Sequence, residues 1–239
     1  MGNRNILSIG NTKTAKGESK GYMTGILHLA PGELAGVQVC PKASAGCLAA
    51  CLNTAGRGRF DKIQKARIAK TRWLFDDRKG FMQALVWSIE ATIRKAGRES
   101  MTPVIRLNGT SDLPWEKFRC VRGGVEYRNV IEAFPEIQFY DYTKIAARAI
   151  KWAQGDMPSN YHLTFSAAED NEQSCRMVSM AGGNVAVVFD QIPESWYGRR
   201  VVNGDETDLR FLDPAGVVVG LKAKGDAKYD NSGFVRKVA

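Results

Sequence analysis

Apolar residues gather along the chain in short β-branched or aromatic runs at positions 24–29, 104–107, 137–140, 161–165, 185–189 and 217–221. Such runs, bounded by polar or turn-forming residues, predict six buried strands. Between them the apolar positions recur with a helical period, over 63–75 and 81–95 after the first strand, 144–153 after the third and 169–180 after the fourth. Strand alternating with helix predicts an α/β fold around a parallel sheet. The pattern weakens over 190–216, which carries Pro193, Gly198, Gly204 and Pro214 and reads as loop. No repeat, low-complexity tract or linker divides residues 1–239, so one domain is expected, with a cysteine loop at 40–51 after the first strand and a basic helical segment at 57–98.

The chain is 44% apolar and 25% charged, enough apolar content at 239 residues to build a core without disulfides. No apolar run approaches the roughly 20 residues of a membrane span, so no membrane partner is expected. The apolar stretch near the start, residues 6–9, is too short for a signal peptide. A cytoplasmic location follows, and with it five cysteines that serve as thiols or ligands rather than disulfides.

The net charge of +9 points towards polyanionic partners, and its distribution is uneven. Residues 57–98 hold twelve basic side chains against four acidic ones, a net +8, while the rest of the chain is nearly neutral. Two readings stand: a solvated basic helix face, or a nucleic-acid surface running from Arg57 to Arg98.

Polar groups follow the strands. Asn108, Thr110 and Asp112 come after the second, Asp141 and Lys144 with the third, Ser166 and Glu169 after the fourth, Asp190 after the fifth and Lys222 at the sixth. Polar residues end strands in most turns. In parallel α/β folds, however, the carboxyl ends of the strands are also where ligands bind. Asn108, Thr110, Asp112, Asp141, Lys144, Ser166 and Lys222 are therefore candidate cofactor-binding residues for a small anionic or zwitterionic ligand.

Three of the five cysteines fall in the segment Cys40-Pro-Lys-Ala-Ser-Ala-Gly-Cys47-Leu-Ala-Ala-Cys51. Cys47 and Cys51 project from one face if this segment is helical, while Pro41 and Gly46 let Cys40 fold towards them. Three convergent thiolates suit a tetrahedral zinc or an iron–sulfur cluster. Zinc lacks an evident fourth ligand, because His28, His162, Cys120 and Cys175 are all remote in sequence. A [4Fe-4S] cluster with one open iron accommodates three, so Cys40, Cys47 and Cys51 are the expected metal ligands. Cys120 and Cys175 read as isolated thiols, and His28 as a core histidine.

A three-cysteine loop after the first of about six βα units resembles the radical S-adenosylmethionine (SAM) superfamily. The resemblance implies a radical-SAM-like partial (β/α) barrel of about six parallel strands, with SAM as a second cofactor on the open iron. The spacing C-x6-C-x3-C departs from the superfamily's C-x3-C-x2-C, Ala50 stands where an aromatic is usual, and Asn108 to Asp112 replace its Gly-Gly-Glu. Through Gly10-Asn-Thr-Lys-Thr and the segments 47–57, 106–112, 139–144, 161–166 and 208–213, the chain is also similar to a bacteriophage and actinobacterial family, the gene product eighty-eight family. That resemblance implies a viral protein working in the host cytoplasm during phage infection.

Other motifs fail on their chemistry. The stretch from Gly10 to Gly17 has Ala15 and Gly17 where a phosphate-binding loop needs Gly and Ser or Thr. The cysteines have neither the spacing nor the Glu of a zinc deaminase, and no serine sits in a nucleophile elbow. The function expected is therefore that of an iron–sulfur protein with redox or radical chemistry. A metal-stabilised nucleic-acid-binding protein is the alternative.

Overall fold

The computed structural model describes residues 5–10, 16–54 and 56–238, so most of the Gly10-Asn-Thr-Lys-Thr segment lies outside the described residues. In chain order come β1 (Leu7–Ser8), β2 (Tyr22–Leu27), α1 (Ala45–Ala49), α2 (Asp61–Asp76), α3 (Arg78–Arg98) and β3 (Thr102–Arg106). There follow β4 (Cys120–Arg122), β5 (Val125–Tyr127), β6 (Gln138–Thr143), α4 (Ala146–Ala153), β7 (Tyr161–Ser166), α5 (Glu172–Met180) and β8 (Val185–Phe189). The chain finishes with β9 (Ser195–Trp196), β10 (Arg199–Asn203), β11 (Val218–Lys222) and β12 (Val235–Arg236). Two 3-10 turns, Leu52–Thr54 and Gly56–Arg59, link α1 to α2.

All six expected strands form, as β2, β3, β6, β7, β8 and β11, and they are parallel neighbours in that order. Strands buried on both faces read as continuous apolar runs, which is why they were legible. The sheet is mixed only at its margins, where β1 runs antiparallel to β2 and β9 antiparallel to β10. Its path ends at β1 on one side and β9 on the other, so among the described strands it is an open, mostly parallel sheet rather than a closed barrel. The 190–216 connection, expected as loop, contains β10, which extends the parallel set beside β11. Its sequence Arg-Arg-Val-Val-Asn is half polar, as befits a strand near an edge.

Sheet and helices meet in one main core. The buried positions of α3, among them Phe81, Leu85 and Ile89, pack on Leu27, Ile105 and Phe139. Each such fully buried side chain contributes about 1.5–3 kcal/mol. A second cluster lies under α4 and α5, where Ala149, Cys175 and Val178 meet Phe165 and Val187. A third joins Val104 and Tyr140 to Leu209 and Phe211. There the fully buried Arg210 is ion-paired to Asp213 at 3.3 Å, and Arg106 to Asp208 at 2.6 Å.

β7 and β8 pair only at Phe165–Val185 and Ser166–Ala186. Beyond that point β12 takes β7's place along Val188 and Phe189. The C-terminal segment therefore enters the sheet at the carboxyl ends of β7 and β8, on the edge where the candidate residues lie.

Candidate functional site

Parallel strands deliver their following loops to one edge, and hydrogen bonds tie those loops together. Gly109 N donates to Leu27 O (3.0 Å), Thr110 Oγ1 to Leu29 O (2.6 Å) and Asp112 N to Val39 O (2.8 Å), so the turn after β3 lies against the chain leaving β2. Only glycine fits at 109, because a Cβ there would stand 2.6 Å from Leu27 O. Asp112 accepts Lys144 N (2.8 Å), and Lys144 Nζ donates to Ser166 Oγ (2.8 Å), Ala167 O (3.1 Å) and Ser166 O (3.3 Å). Asn108, Thr110, Asp112, Lys144 and Ser166 thus meet at one rim.

The cysteine segment sits on that rim. Cys40 Sγ donates to Thr110 O at 3.8 Å. Ser44 caps α1, its Oγ accepting Cys47 N (3.1 Å) and donating to Glu169 Oε2 (2.6 Å), while Gly46 N donates to Glu169 Oε1 (2.7 Å). Glu169 thereby pins the start of α1 to the loop after β7. Cys51 Sγ accepts Asn53 N at 3.5 Å, and Asn53 is held by the buried Arg67.

The thiols share one electrostatic neighbourhood. Burial pushes Cys40 up to about 11, and Cys51, Cys47 and Asp112 push the same way, while a backbone N–H at Gly32 opposes the rise. Cys47 is raised by burial against the opposing pull of Lys144. Cys51 is also raised by burial, with the Asn53 N–H and Arg67 pulling it back. All three stand protonated near neutral pH, and a metal that binds them must displace protons. Among the described residues, no three His, Cys, Asp or Glu side chains are grouped so as to hold one metal ion.

Several candidate residues are already committed to the protein's own structure. Asn108 is buried, and its Oδ1 accepts Ser111 Oγ, Leu113 N and Trp115 Nε1 at 2.9–3.0 Å while its Nδ2 donates to Leu113 O. Asp141 lies wholly inside the protein, accepting Asn108 N (2.6 Å) and Tyr161 OH (3.0 Å). Burial pushes its carboxyl up to about 7, and it braces the turn rather than facing a ligand. Asp112 is spent on Lys144 N and on Arg148 Nη1 (2.8 Å), and Arg148 also pairs with Glu116 at 2.8 Å. Lys222 is exposed on β11, two strands beyond β7, and its backbone N donates to Asp205, while its neighbour Ala223 joins the cluster against which Ala50 packs.

Sequence reasoning missed Arg148, which stands amid the apolar residues of α4, where a charge needs buried partners. It also missed the C-terminal segment. Ala50 packs with Ala227, Val235 and Phe234, and the Phe234 ring lies 5.4 Å from Lys144 Nζ. Residues 226 and 229–232 line a cavity of about 310 Å³ with Ala45, Gly46, Ala49 and Ala50.

His28, expected in the core, directly follows β2 and is half-buried on the rim, where a Cβ on Gly109 would stand 2.9 Å from its ring; the other histidine and cysteines lie elsewhere. His162 is buried against Trp152 and Thr164, and burial followed by Arg210 lowers it to about 4. Cys120 is buried in the main core, and Cys175 beneath α5 with its Sγ on Asn171 Oδ1. The basic segment does not make one surface. Arg57, Arg59, Lys62 and Lys65 surround the turn after Cys51, whereas Arg94 and Arg98 end α3 beside the start of β3, where Met101 N bonds Ala96 O and Thr102 N bonds Gly21 O. No described helix is long and apolar enough to cross a membrane.

The model of one family, gene product 88, matches residues 5–238, and the chain belongs to that phage gene-product family. No curated protein and no solved structure matches it.

Proposed function

We propose that this member of the gene product 88 family is an iron–sulfur protein: Cys40, Cys47 and Cys51 hold a [4Fe-4S] cluster at the sheet rim, beside a small anionic or zwitterionic ligand, for redox or radical chemistry. The observation that carries the reading is the seating of the three-cysteine segment on the carboxyl edge of a parallel sheet, where Cys40 Sγ meets Thr110 O and Ser44 and Gly46 bond Glu169. One tetrahedral zinc with Zn–S bonds of about 2.3 Å would draw its sulfurs to about 3.8 Å of one another. A cubane gives each cysteine its own iron and spaces the sulfurs wider. When bound, such a cluster supplies one-electron chemistry and, with three cysteines, an iron open to a further ligand.

The chain's own groups then divide the work. Glu169 and Ser44 fix α1, and with it the direction of Cys47. Lys144, held by oxygens of Ser166 and Ala167, supplies the positive charge that favours the Cys47 thiolate and an anionic group of a ligand. Asn108, Asp112 and Asp141 keep the floor of the rim rigid. SAM has a carboxylate and an amine, and Lys144 would take the carboxylate by exchanging its bonds to Ser166 and Ala167 for it.

The test is anaerobic reconstitution of the cysteine variants. Replacing Cys40, Cys47 or Cys51 with Ser removes most of the iron and sulfide, while Cys120→Ser and Cys175→Ser retain them. Equal retention in all five variants refutes the assignment. Titrating the reduced protein with SAM then changes the electron paramagnetic resonance (EPR) spectrum if SAM is the ligand, and leaves it unchanged if the ligand is another anion.

A further inference from the structure

The turn between Cys51 and α2 carries an unusual surface. Phe60 is 56% exposed, and Arg57, Arg59, Lys62 and Lys65 around it are exposed, with no ion pair or side-chain hydrogen bond among the described residues. Asp61 is the one acidic residue among them. Phe60 occupies the N-cap of α2 and makes no cap hydrogen bond. Ser, Asp or Asn there would contribute about 1 kcal/mol, so an aromatic at this position forgoes a stabilising cap. Local rules broken without compensation mark functional positions.

Hydrogen bonds nonetheless brace the chain on both sides of Phe60. Gln64 Nε2 donates to Asn53 O (2.8 Å) and Gly58 O (2.5 Å), and Asn53 Nδ2 donates back to Gln64 Oε1 (2.8 Å). Gly58 lies so close to Asn53 that a Cβ on it would stand 2.6 Å from the Asn53 carbonyl oxygen. A fixed backbone that presents one aromatic ring among free cations is pre-organised for binding.

We propose that residues 57–65 bind single-stranded nucleic acid, with Phe60 stacking on a base and Arg57, Arg59, Lys62 and Lys65 contacting flanking phosphates, so that the strand lies beside the cysteine rim. Duplex DNA keeps its base faces stacked and offers Phe60 nothing, whereas an unpaired strand offers both base faces and phosphates. The surface is the part of the basic segment nearest Cys51, and Arg94 and Arg98 at the far end of α3 do not contribute. That the strand is the rim's substrate rests on the cluster reading; that it binds does not.

Fluorescence anisotropy on the full chain tests this with a labelled oligothymidine of about 20 nucleotides and a duplex of the same length. The single strand binds more tightly, and its affinity falls about 50-fold between roughly 50 and 200 mM salt if four phosphates are neutralised. Phe60→Ala weakens binding roughly tenfold and Phe60→Trp restores it. Arg57→Glu with Arg59→Glu roughly halves the logarithmic salt slope, leaving a fall of about sevenfold over the same range, while Arg94→Glu with Arg98→Glu changes little. No binding at low salt, equal affinity for duplex, or binding indifferent to Phe60→Ala overturns the proposal. Iron content separates the two readings: Phe60→Ala keeps its metal, and the Cys47→Ser protein still binds the strand.

Discussion

The turn at residues 108–112 and the cysteine segment at 40–51 lie side by side, joined where Cys40 Sγ donates to Thr110 O, yet they use their polar atoms in opposite ways. In the turn, Asn108 is saturated by Ser111, Leu113 and Trp115, and Asp112 by Lys144 and Arg148. In the cysteine segment the sulfur hydrogen bonds are long, at 3.8 Å for Cys40 and 3.5 Å for Cys51. Position on a ligand-binding edge is therefore not enough to mark a ligand-binding residue. A group that binds must also have bonding capacity left over, and on this rim that capacity belongs to the thiols, since the three donors of Lys144 Nζ already meet oxygens of Ser166 and Ala167.

The largest expected effect strikes the saturated side. Arg148→Met leaves Asp112 and Glu116 buried without their counter-charge, and an unpaired buried charge costs about 3–5 kcal/mol. Urea denaturation measures it. A cost below about 1 kcal/mol would mean that the turn is not held by its internal bonds.

A smaller effect follows pH. Burial holds the Asp141 carboxyl at about 7, above its ordinary 3.8. Between those values the folded chain keeps a proton that the unfolded chain has released, so this group's contribution falls as pH rises from about 4 to about 7 and is level above that. Asp141→Asn removes this component. The stability of the wild type relative to the variant should decline across that window, and a difference that does not vary with pH would contradict the buried placement.

The smallest effect belongs to the cysteine side. In metal-free, reduced protein, Cys47→Ala should change stability by about 1 kcal/mol or less, because the sulfur is partly exposed and carries no structural bond comparable to those of Asn108. A loss as large as that of Arg148→Met would erase the contrast between the two loops.

What the sequence revealed divides along similar lines. The central strands were legible because both of their faces are buried, and the place of the cysteine segment at their carboxyl ends because it follows the first of them. β12 was not, since two residues, Val235 and Arg236, make no pattern and owe their place to the divergence of β7 and β8. Nor was the internal use of the rim residues, because the partners are far apart in the chain: Asn108 with Asp141, Asp112 with Arg148, Ser44 with Glu169. The basic segment read as one surface because composition does not register that α3 carries Arg94 and Arg98 to the opposite end of the sheet.

The central claim rests on the identity of what the three thiols hold, and the most direct measurement is the metal and sulfide content of anaerobically purified protein, with its absorption and EPR spectra. The account predicts about four iron and four acid-labile sulfide per chain, broad visible absorption that bleaches on reduction, and a signal from the reduced cluster. One zinc per chain, with no sulfide and no visible absorption, would contradict it.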